Sequence, residues 1–304
     1  MDAVWVLNLD ADLELGARGA YSPTGSVRKA LRAQQAKLFD VLVRSGEAVV
    51  DESTTPGAWK GTPGRAFCPT PRALAILERA GAIPEPYPSG EVLRAVNGRA
   101  FCAALGEALP AGEFISDESR ARAKLLESSS AGTGVGTGPW RVKRAFGMAG
   151  RGQRVIPPGP LGKADEAFLL SSLTRGGVVI EPEVRITMEV AIHGWLAVDG
   201  DVALGRLVRQ RCDARGQWLS TEPIAEPFPF APALEVEAAR VALRLHEAGY
   251  FGPFGIDAFV YDGGFQPRSE INARFSMGFA IGMPDWRKFL MPAAQGKGGH
   301  SSKR

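Results

Sequence analysis

The sequence predicts a chain of mixed architecture, with an N-terminal α/β unit on a small parallel sheet followed by α+β units that contain antiparallel hairpins. Over the first 115 residues, short β-rich runs alternate with helical patterns, and this alternation is typical of a parallel sheet covered by helices. Near the C-terminal end, Asp262-Gly263-Gly264 separates two strand-like runs and predicts an antiparallel hairpin. A chain of 304 residues is long enough for two or three such units.

The composition is that of an ordinary globular protein and argues against nucleic-acid and membrane partners. The formal net charge is only +3 and no long basic run occurs. The sequence therefore predicts no extended basic surface that would attract a nucleic acid or a membrane. No apolar run reaches the roughly eighteen residues that a membrane span requires. Cys68, Cys102 and Cys212 lie far apart without metal-binding spacing, which favours reduced thiols and a cytoplasmic location.

Capping residues and hydrophobic periodicity define the N-terminal unit. Ser26 is placed to cap a helix that runs to about Arg44, and Thr70 to cap a helix that begins at Pro71, where proline is tolerated. In order, we predict strand 3–9, a loop to residue 25, helix 26–44, strand 48–50, strand 65–68 and helix 71–80. The unit is Rossmann-like or flavodoxin-like, but no Gly-x-Gly-x-x-Gly follows its first strand, so no dinucleotide site is expected.

The middle of the chain is predicted to be helical and then flexible. One helix covers 91–108, and Asp117 is placed to cap another that ends near Glu127. Residues 128–138 are rich in serine, glycine and threonine and predict a flexible linker. After residue 160 we predict helix 165–173, strand 177–180, a hairpin of strands 189–198 and 202–208, and helix 234–248.

A glycine-rich segment after the linker has the features of an anion site. We predict strand 139–144 with Lys143 near its end, a turn over 145–153 and strand 154–156. Gly147, Gly150 and Gly152 would let backbone N–H groups converge on an anion, and Lys143 would add a positive charge. Glycine-rich hairpins are common, so a plain surface turn is the alternative.

A second chemical feature lies on a strand near the C-terminal end, where polar residues alternate with apolar ones. Glu270, Asn272 and Arg274 share one strand face, with apolar residues between them. The carboxylate and the amide are about 7 Å apart along the backbone, within reach of one or two hard cations. Asp257 on the preceding strand would join them, and Arg274 suits an anion bound to such a cation. A solvated face of an edge hairpin is the alternative.

Two motifs in this hairpin, Gly-Ile-Asp-Ala-Phe (255–259) and Glu-Ile-Asn-Ala-Arg-Phe-Ser (270–276), resemble the metal-binding end of the ATP-grasp superfamily. The resemblance covers about residues 90–285, and the first 90 by architecture only. It implies an ATP-grasp fold with four parts, which are a Rossmann-like domain (1–115), a nucleotide-binding subdomain with a glycine-rich flap (116–184), a metal-binding subdomain (185–292) and a disordered tail (293–304).

The resemblance also implies how ATP and Mg²⁺ are bound. Asp257, Glu270 and Asn272 would hold magnesium, as two ions, with Mn²⁺ as an alternative, against the phosphates of ATP. Lys143 and the glycine-rich flap would cover those phosphates. In the resembled family, an arginine in the position of Arg274 would stabilise the transferred phosphoryl group or an acyl phosphate.

The adenosine part of ATP would meet the hinge after strand 177–180. By their order, Glu181 would meet the adenine amino group and Glu189 the ribose hydroxyls, with the backbone of Glu183 and Val184 between them. Glu183 is a rival for either role.

Two arginines and several loops are further candidates for contacts with the phosphates or the substrate. Arg209 and Arg206 either face the phosphates or an acyl phosphate, or lie on the surface beside a turn. Substrate residues are expected in 10–25, at Trp59-Lys60 and in 206–211.

The implied activity is that of an ATP-dependent carboxylate–amine ligase that forms an amide or peptide bond through an acyl phosphate. A phosphotransferase on the same fold and a non-catalytic nucleotide-binding module are the alternatives. The partners would be a small carboxylate and an amine, with amino acids and peptides open as substrates and a homodimer left open.

Overall fold

The structure is a computed structural model that describes residues 3–106, 109–127, 138–148, 150–157, 159–213, 216–224 and 227–290. Within these ranges, the strands form three sheets. The predicted linker lies outside the described residues except for Gly138, and the predicted tail lies wholly outside them. No helix within these ranges combines the length and apolarity needed to cross a membrane.

The N-terminal sheet is parallel, as predicted. Its strands are β1 (Val4–Val6), β2 (Ala48–Val49), β3 (Pro63–Ala66) and β4 (Ile83–Pro84), in the order β2-β1-β3-β4. β1 is the buried centre of this sheet because all three of its side chains are apolar and almost fully covered. Helices α1 (Ala11–Leu15), α2 (Gly25–Leu42) and α3 (Pro71–Ala80) belong to the same unit.

Three predictions for this unit need correction or confirmation. The cap of α2 is Thr24, not Ser26, since Thr24 has extended backbone angles and its hydroxyl accepts a hydrogen bond from the Val27 amide. The predicted loop up to residue 25 contains the short helix α1. Thr70 caps α3 as predicted, with Pro71 in the first turn.

The single helix predicted over 91–108 is wrong. The chain forms α4 (Gly90–Asn97) and α5 (Arg99–Ala104), which are separated at Gly98, where the backbone is extended (φ −76°, ψ 139°). A Cβ on Gly98 would lie 3.3 Å from Cζ of Phe146, so this close approach favours glycine. The following helix, α6 (Glu118–Leu126), is capped by Asp117 as predicted.

The second sheet is antiparallel and consists of β5 (Glu113–Ile115), β6 (Trp140–Met148), β7 (Arg151–Ile156) and β8 (Val178–Pro182), in the order β5-β8-β6-β7. Its core packs against α6 and α7 (Lys163–Leu173). β6 and β7 are longer than predicted, so Gly147 and Gly152 lie in strands rather than in the turn. The domain boundaries stay predictions, although β5, before residue 116, pairs with β8.

The third sheet is antiparallel and has six strands within the described ranges. It consists of β9 (Ile186–Leu196), β10 (Val202–Leu204), β11 (Val208–Cys212), β12 (Trp218–Pro223), β13 (Gly252–Tyr261) and β14 (Gly264–Asn272), in the order β12-β11-β9-β13-β14 with β10 also on β9. Helix α8 (Ala231–Glu247) packs against it. The antiparallel β13–β14 hairpin is confirmed.

The strand predicted over 202–208 is two strands. β10 pairs with the end of β9 and β11 with its middle, and the chain changes course between them at Gly205, where a Cβ would overlap the Gly282 carbonyl.

The described chain ends with α9 (Phe279–Gly282) and a 3₁₀ helix (Trp286–Phe289). An aromatic cluster joins this end to the N-terminal sheet, since Trp5 stacks edge-on against Phe275 and Trp286.

Candidate active site

A cavity of about 1190 Å³ is lined by residues of the second and third sheets and by residues of α2 in the N-terminal unit. Its lining includes every residue predicted to bind ATP or magnesium or to stabilise the transferred group, except Gly152 and Arg206. The residues that meet there are Lys143, Gly147, Gly150, Glu181, Glu183, Val184, Glu189, Arg209, Asp257, Glu270, Asn272 and Arg274. The fold therefore brings together segments that are more than 100 positions apart in the sequence, while their roles stay predictions.

Asp257 and Glu270 face each other as cross-strand neighbours on β13 and β14. One oxygen of Asp257 accepts a hydrogen bond from Gln210 Nε2 at 2.6 Å, and the other accepts one from Asn272 Nδ2 at 2.9 Å. Burial and the nearby charge of Glu270 raise the pKa of Asp257 to about 6.

The donor set fits a magnesium ion. Asp257, Glu270 and Asn272 offer hard oxygen atoms, and Asn272 would present its amide oxygen after its amide turns. Within the described ranges, no group of three or more His, Cys, Asp and Glu side chains is placed to hold a metal ion. Mg²⁺ is usually bound by one or two carboxylates, waters and substrate phosphates.

Arg99 is a residue of this site that the sequence did not reveal. It lines the cavity and donates to Glu270 at 2.7 Å and to the Arg144 carbonyl at 2.7 Å, while its Nε has no partner in the described structure. The single helix predicted over 91–108 gave no indication that Arg99 would line the cavity. A glycine just before it, at the helix break, was the available signal.

Lys143 and Glu181 form an ion pair of 2.5 Å across β6 and β8, and both side chains are mostly buried. Gly147 lies on the same strand as Lys143, and a Cβ there would come 2.7 Å from the Arg151 carbonyl, so the hairpin requires glycine. Gly150 has a positive φ of 74°, which a turn residue without a side chain adopts freely. Gly152 belongs to β7 and is not among the residues that line the cavity.

The two rival glutamates have different surroundings. Both oxygens of Glu183 bind the guanidinium of Arg141, at 2.5 and 2.6 Å. Glu189 lies on β9 beside Gln210 of β11 and forms no ion pair with another described residue. Burial and Glu189 raise the pKa of the neighbouring Cys212 thiol.

The three candidate arginines also differ in their surroundings. Arg274 binds Asp12 through two nitrogens, at 2.5 and 3.2 Å, and its guanidinium lies 5.6 Å from the centre of the Phe67 ring. Arg209 lines the cavity. Arg206 does not; its side chain is exposed and donates to the Ile281 carbonyl, so it matches the surface alternative.

The loops proposed for substrate binding contribute unequally. Asp12 and residues 209–211 line the cavity, whereas Trp59 packs against the core of the N-terminal sheet. Ser276, which was not expected there, also lines the cavity and lies 2.9 Å from His193 Nε2. Burial lowers the pKa of His193 to about 4, so this imidazole is neutral at physiological pH.

No protein-family model matches the chain, and no curated protein sequence matches it either. Several solved structures are similar to the chain. D-alanine–D-alanine ligase from Bacillus anthracis, complexed with ATP, is 12% identical over 94% of this chain and 91% of its own, with a TM-score of 0.52. D-alanyl-alanine synthetase A from Vibrio cholerae is 12% identical over 95% and 92%, with a TM-score of 0.52. N5-carboxyaminoimidazole synthetase from Staphylococcus aureus, complexed with ADP, is 11% identical over 90% and 70%, with a TM-score of 0.50.

These similar structures are ATP-grasp proteins, and the likeness extends over nearly the whole chain. The chain has the ATP-grasp fold.

Proposed function

We propose that the chain is an ATP-dependent ligase that joins a carboxylate to an amine through an acyl phosphate and releases ADP and phosphate. One observation carries this proposal: within a single cavity, Asp257, Glu270 and Asn272 on β13–β14 share the lining with Lys143 of β6 and the glycine hairpin. Carboxylates for a cation and a fixed cation for phosphate are the parts that phosphoryl transfer needs. Two of the similar structures are described as complexes with ATP or ADP.

The nucleotide would replace ion pairs that the protein now makes with itself. Lys143 would leave Glu181 for a phosphate, which would free the Glu181 carboxylate for the adenine amino group. Glu189 is the better ribose ligand of the two rivals, because Arg141 already holds both oxygens of Glu183. The backbone of Glu183 and Val184 would meet the adenine edge.

Asp257, Glu270 and Asn272 would hold Mg²⁺, with Mn²⁺ as an alternative. When bound, the metal would neutralise charge on the β- and γ-phosphates. Arg99 would keep Glu270 oriented, and Gln210 would do the same for Asp257.

The reaction would proceed in two displacements. An oxygen of the substrate carboxylate attacks the γ-phosphorus, the bond from that phosphorus to the bridging oxygen breaks, and ADP leaves. The amine nitrogen then attacks the carbonyl carbon and loses a proton, and the carbon–oxygen bond breaks to release phosphate. Lys143 and Arg274 supply fixed positive charge beside the transferred group, and Asp12 holds Arg274 in place.

Hydroxylamine provides a test that does not require the natural amine. Candidate acids are incubated with ATP, Mg²⁺ and hydroxylamine, and ADP, phosphate and hydroxamate are measured. A ligase forms all three in equal amounts, and only when an acid is present. A phosphorylated product without hydroxamate would indicate a phosphotransferase. ATP binding without turnover of any acid would indicate a non-catalytic module.

A further inference from the structure

The end of the cavity that meets the N-terminal unit differs from the rest in its lining. Besides Asp12, which also lines this end, it has a group of uncharged residues that we call the α2 subpocket: Leu9, Ala30, Leu31, Gln34, Phe67 and Met277. Apart from Gln34, every one of these side chains is apolar. An apolar wall of this kind favours an apolar group of a ligand, because burying such a group releases it from water.

Gln34 is the polar exception, and the oxygen of its amide lacks a hydrogen bond. The side chain is nine-tenths buried, and its Oε1 has no hydrogen-bond partner within the described ranges. The adjacent Gln35 on α2 provides a contrast, since its Nε2 donates to the Leu7 carbonyl at 2.8 Å. A buried amide oxygen that lacks a hydrogen bond destabilises the protein, so Gln34 is a group that a ligand would satisfy.

The charges near the α2 subpocket decide which ligand groups fit. Arg274, whose guanidinium lies 5.6 Å from the centre of the Phe67 ring, already pairs with Asp12 at 2.5 Å. A ligand ammonium here would therefore be buried without a free counterion, which is unfavourable. A neutral amide fits better, because the Gln34 side chain carries both a donor and an acceptor and so matches the C=O and N–H of another amide.

Resting on the proposed ligase function, we propose that the acid substrate is an N-acylated amino acid, or the C-terminal residue of a short peptide, with an apolar side chain. Its carboxylate lies toward Arg274, which is two residues beyond Asn272 in the sequence. Its amide binds Gln34, and its side chain fills the space beside Leu9, Leu31 and Met277. A free amino acid is a poor substrate of this site.

Three acids of equal carbon skeleton test this substrate class in the hydroxylamine assay. They are N-acetyl-DL-leucine, DL-leucine and 4-methylpentanoate, which differ only in the group on the α-carbon. We expect kcat/KM to be at least about tenfold higher for N-acetylleucine than for leucine, with 4-methylpentanoate between them. A preference for free leucine would overturn the substrate class and leave the ligase function standing.

Gln34→Leu tests the amide contact directly. This change should raise KM for N-acetylleucine about tenfold, with little effect on KM for 4-methylpentanoate or on ATP affinity. Gln35→Leu on the same helix is the matched control and should leave all three unchanged. An equal rise of KM for both acids in Gln34→Leu would overturn the amide contact.

A failure of the proposed ligase function can be distinguished from a failure of the amide contact with Gln34. If no acid yields hydroxamate, calorimetric titration of N-acetyl-DL-leucine into the ATP-bound protein still tests the subpocket. Weaker binding to Gln34→Leu than to the unchanged chain supports the amide contact, and equal binding overturns it.

Discussion

The two ends of the cavity satisfy their polar groups in opposite ways. At the nucleotide end, the charged side chains pair with each other: Lys143 with Glu181, Arg141 with Glu183, and Arg99 with Glu270. At the α2 subpocket the lining is uncharged, and the amide of Gln34 has no partner for its oxygen.

This difference indicates how each end would bind a ligand. A polyanion at the nucleotide end exchanges one set of ion pairs for another, so the net gain per contact is modest and depends on the cation that accompanies it. At the α2 subpocket, a neutral ligand satisfies an existing unpaired group and buries apolar surface. The first end suits ATP, and the second suits an uncharged part of a substrate.

The largest effect is expected from Glu270→Gln. The substitution removes one of two carboxylates proposed to hold Mg²⁺ but preserves the shape of the contact with Arg99. We expect acid-dependent phosphate release to fall at least about 10²-fold, with little change in folding stability. Glu247→Gln, in an exposed ion pair on α8, is the control and should retain full activity. A stable Glu270→Gln protein with full turnover would contradict the metal assignment.

Lys143→Met should weaken ATP binding by about 10- to 100-fold, because a charge-assisted hydrogen bond contributes about 1.5–3 kcal/mol. The unliganded protein should also lose stability, since Glu181 is left buried without its partner. Calorimetric titration with ATP measures the first effect, and Lys163→Met, an exposed lysine at the start of α7, serves as control. Unchanged ATP affinity would place the phosphate contact elsewhere.

Glu47 belongs to a cluster of ion pairs that lies outside the cavity. This cluster serves as a comparison with the ion pairs in the cavity that a ligand would break. Burial alone would raise its pKa, but hydrogen bonds from Arg287 and the Arg44 amide outweigh burial and lower the pKa from 4.5 to about 2. A lowered carboxyl pKa stabilises the fold fully above pH 4.5, and this contribution is lost as the pH falls toward 2.

Glu47→Gln should therefore lower the free energy of unfolding by on the order of 2 kcal/mol at neutral pH. Denaturant titrations should show the difference from the unchanged chain shrinking between pH 4.5 and about 2, with ATP affinity unaffected. A difference that stays constant over this range would show that the carboxylate charge is not the cause.

The smallest effect is expected from Arg206→Ala. Arg206 is exposed and outside the cavity lining, so its removal should change stability by less than about 0.5 kcal/mol and leave ATP affinity as it was. Arg209→Ala, three positions further along the chain and in the cavity wall, is the informative partner and should reduce turnover. An equal loss of turnover in both variants would contradict the view that Arg209 acts in the cavity and Arg206 does not.

Local patterns were sufficient to predict several elements. The parallel N-terminal sheet follows from alternating strands and helices, and the β13–β14 hairpin follows from a period of two interrupted by Asp262-Gly263-Gly264. The same alternation places Asp257 and Glu270 opposite each other, so the core of the candidate site was accessible from the sequence.

What the sequence did not reveal depends on contacts between distant segments. The helix break at Gly98 accompanies the packing of Phe146 against it, and the strand break at Gly205 accompanies the Gly282 carbonyl. Periodicity within a window carries no information on such neighbours. Arg99 and Gln34 were overlooked for the same reason, because only the folded chain shows that one meets Glu270 and the other has an amide oxygen without a partner.

The most direct test of the account is the thermal stability of the chain with ATP, ADP, GTP and NAD, each with and without Mg²⁺. A ligand present at a hundred times its dissociation constant adds about 2.7 kcal/mol to the free energy of unfolding. The account predicts a clear stabilisation by ATP that requires Mg²⁺ and is absent with NAD. No stabilisation by any nucleotide, with the metal present, would contradict the assignment of the cavity to ATP.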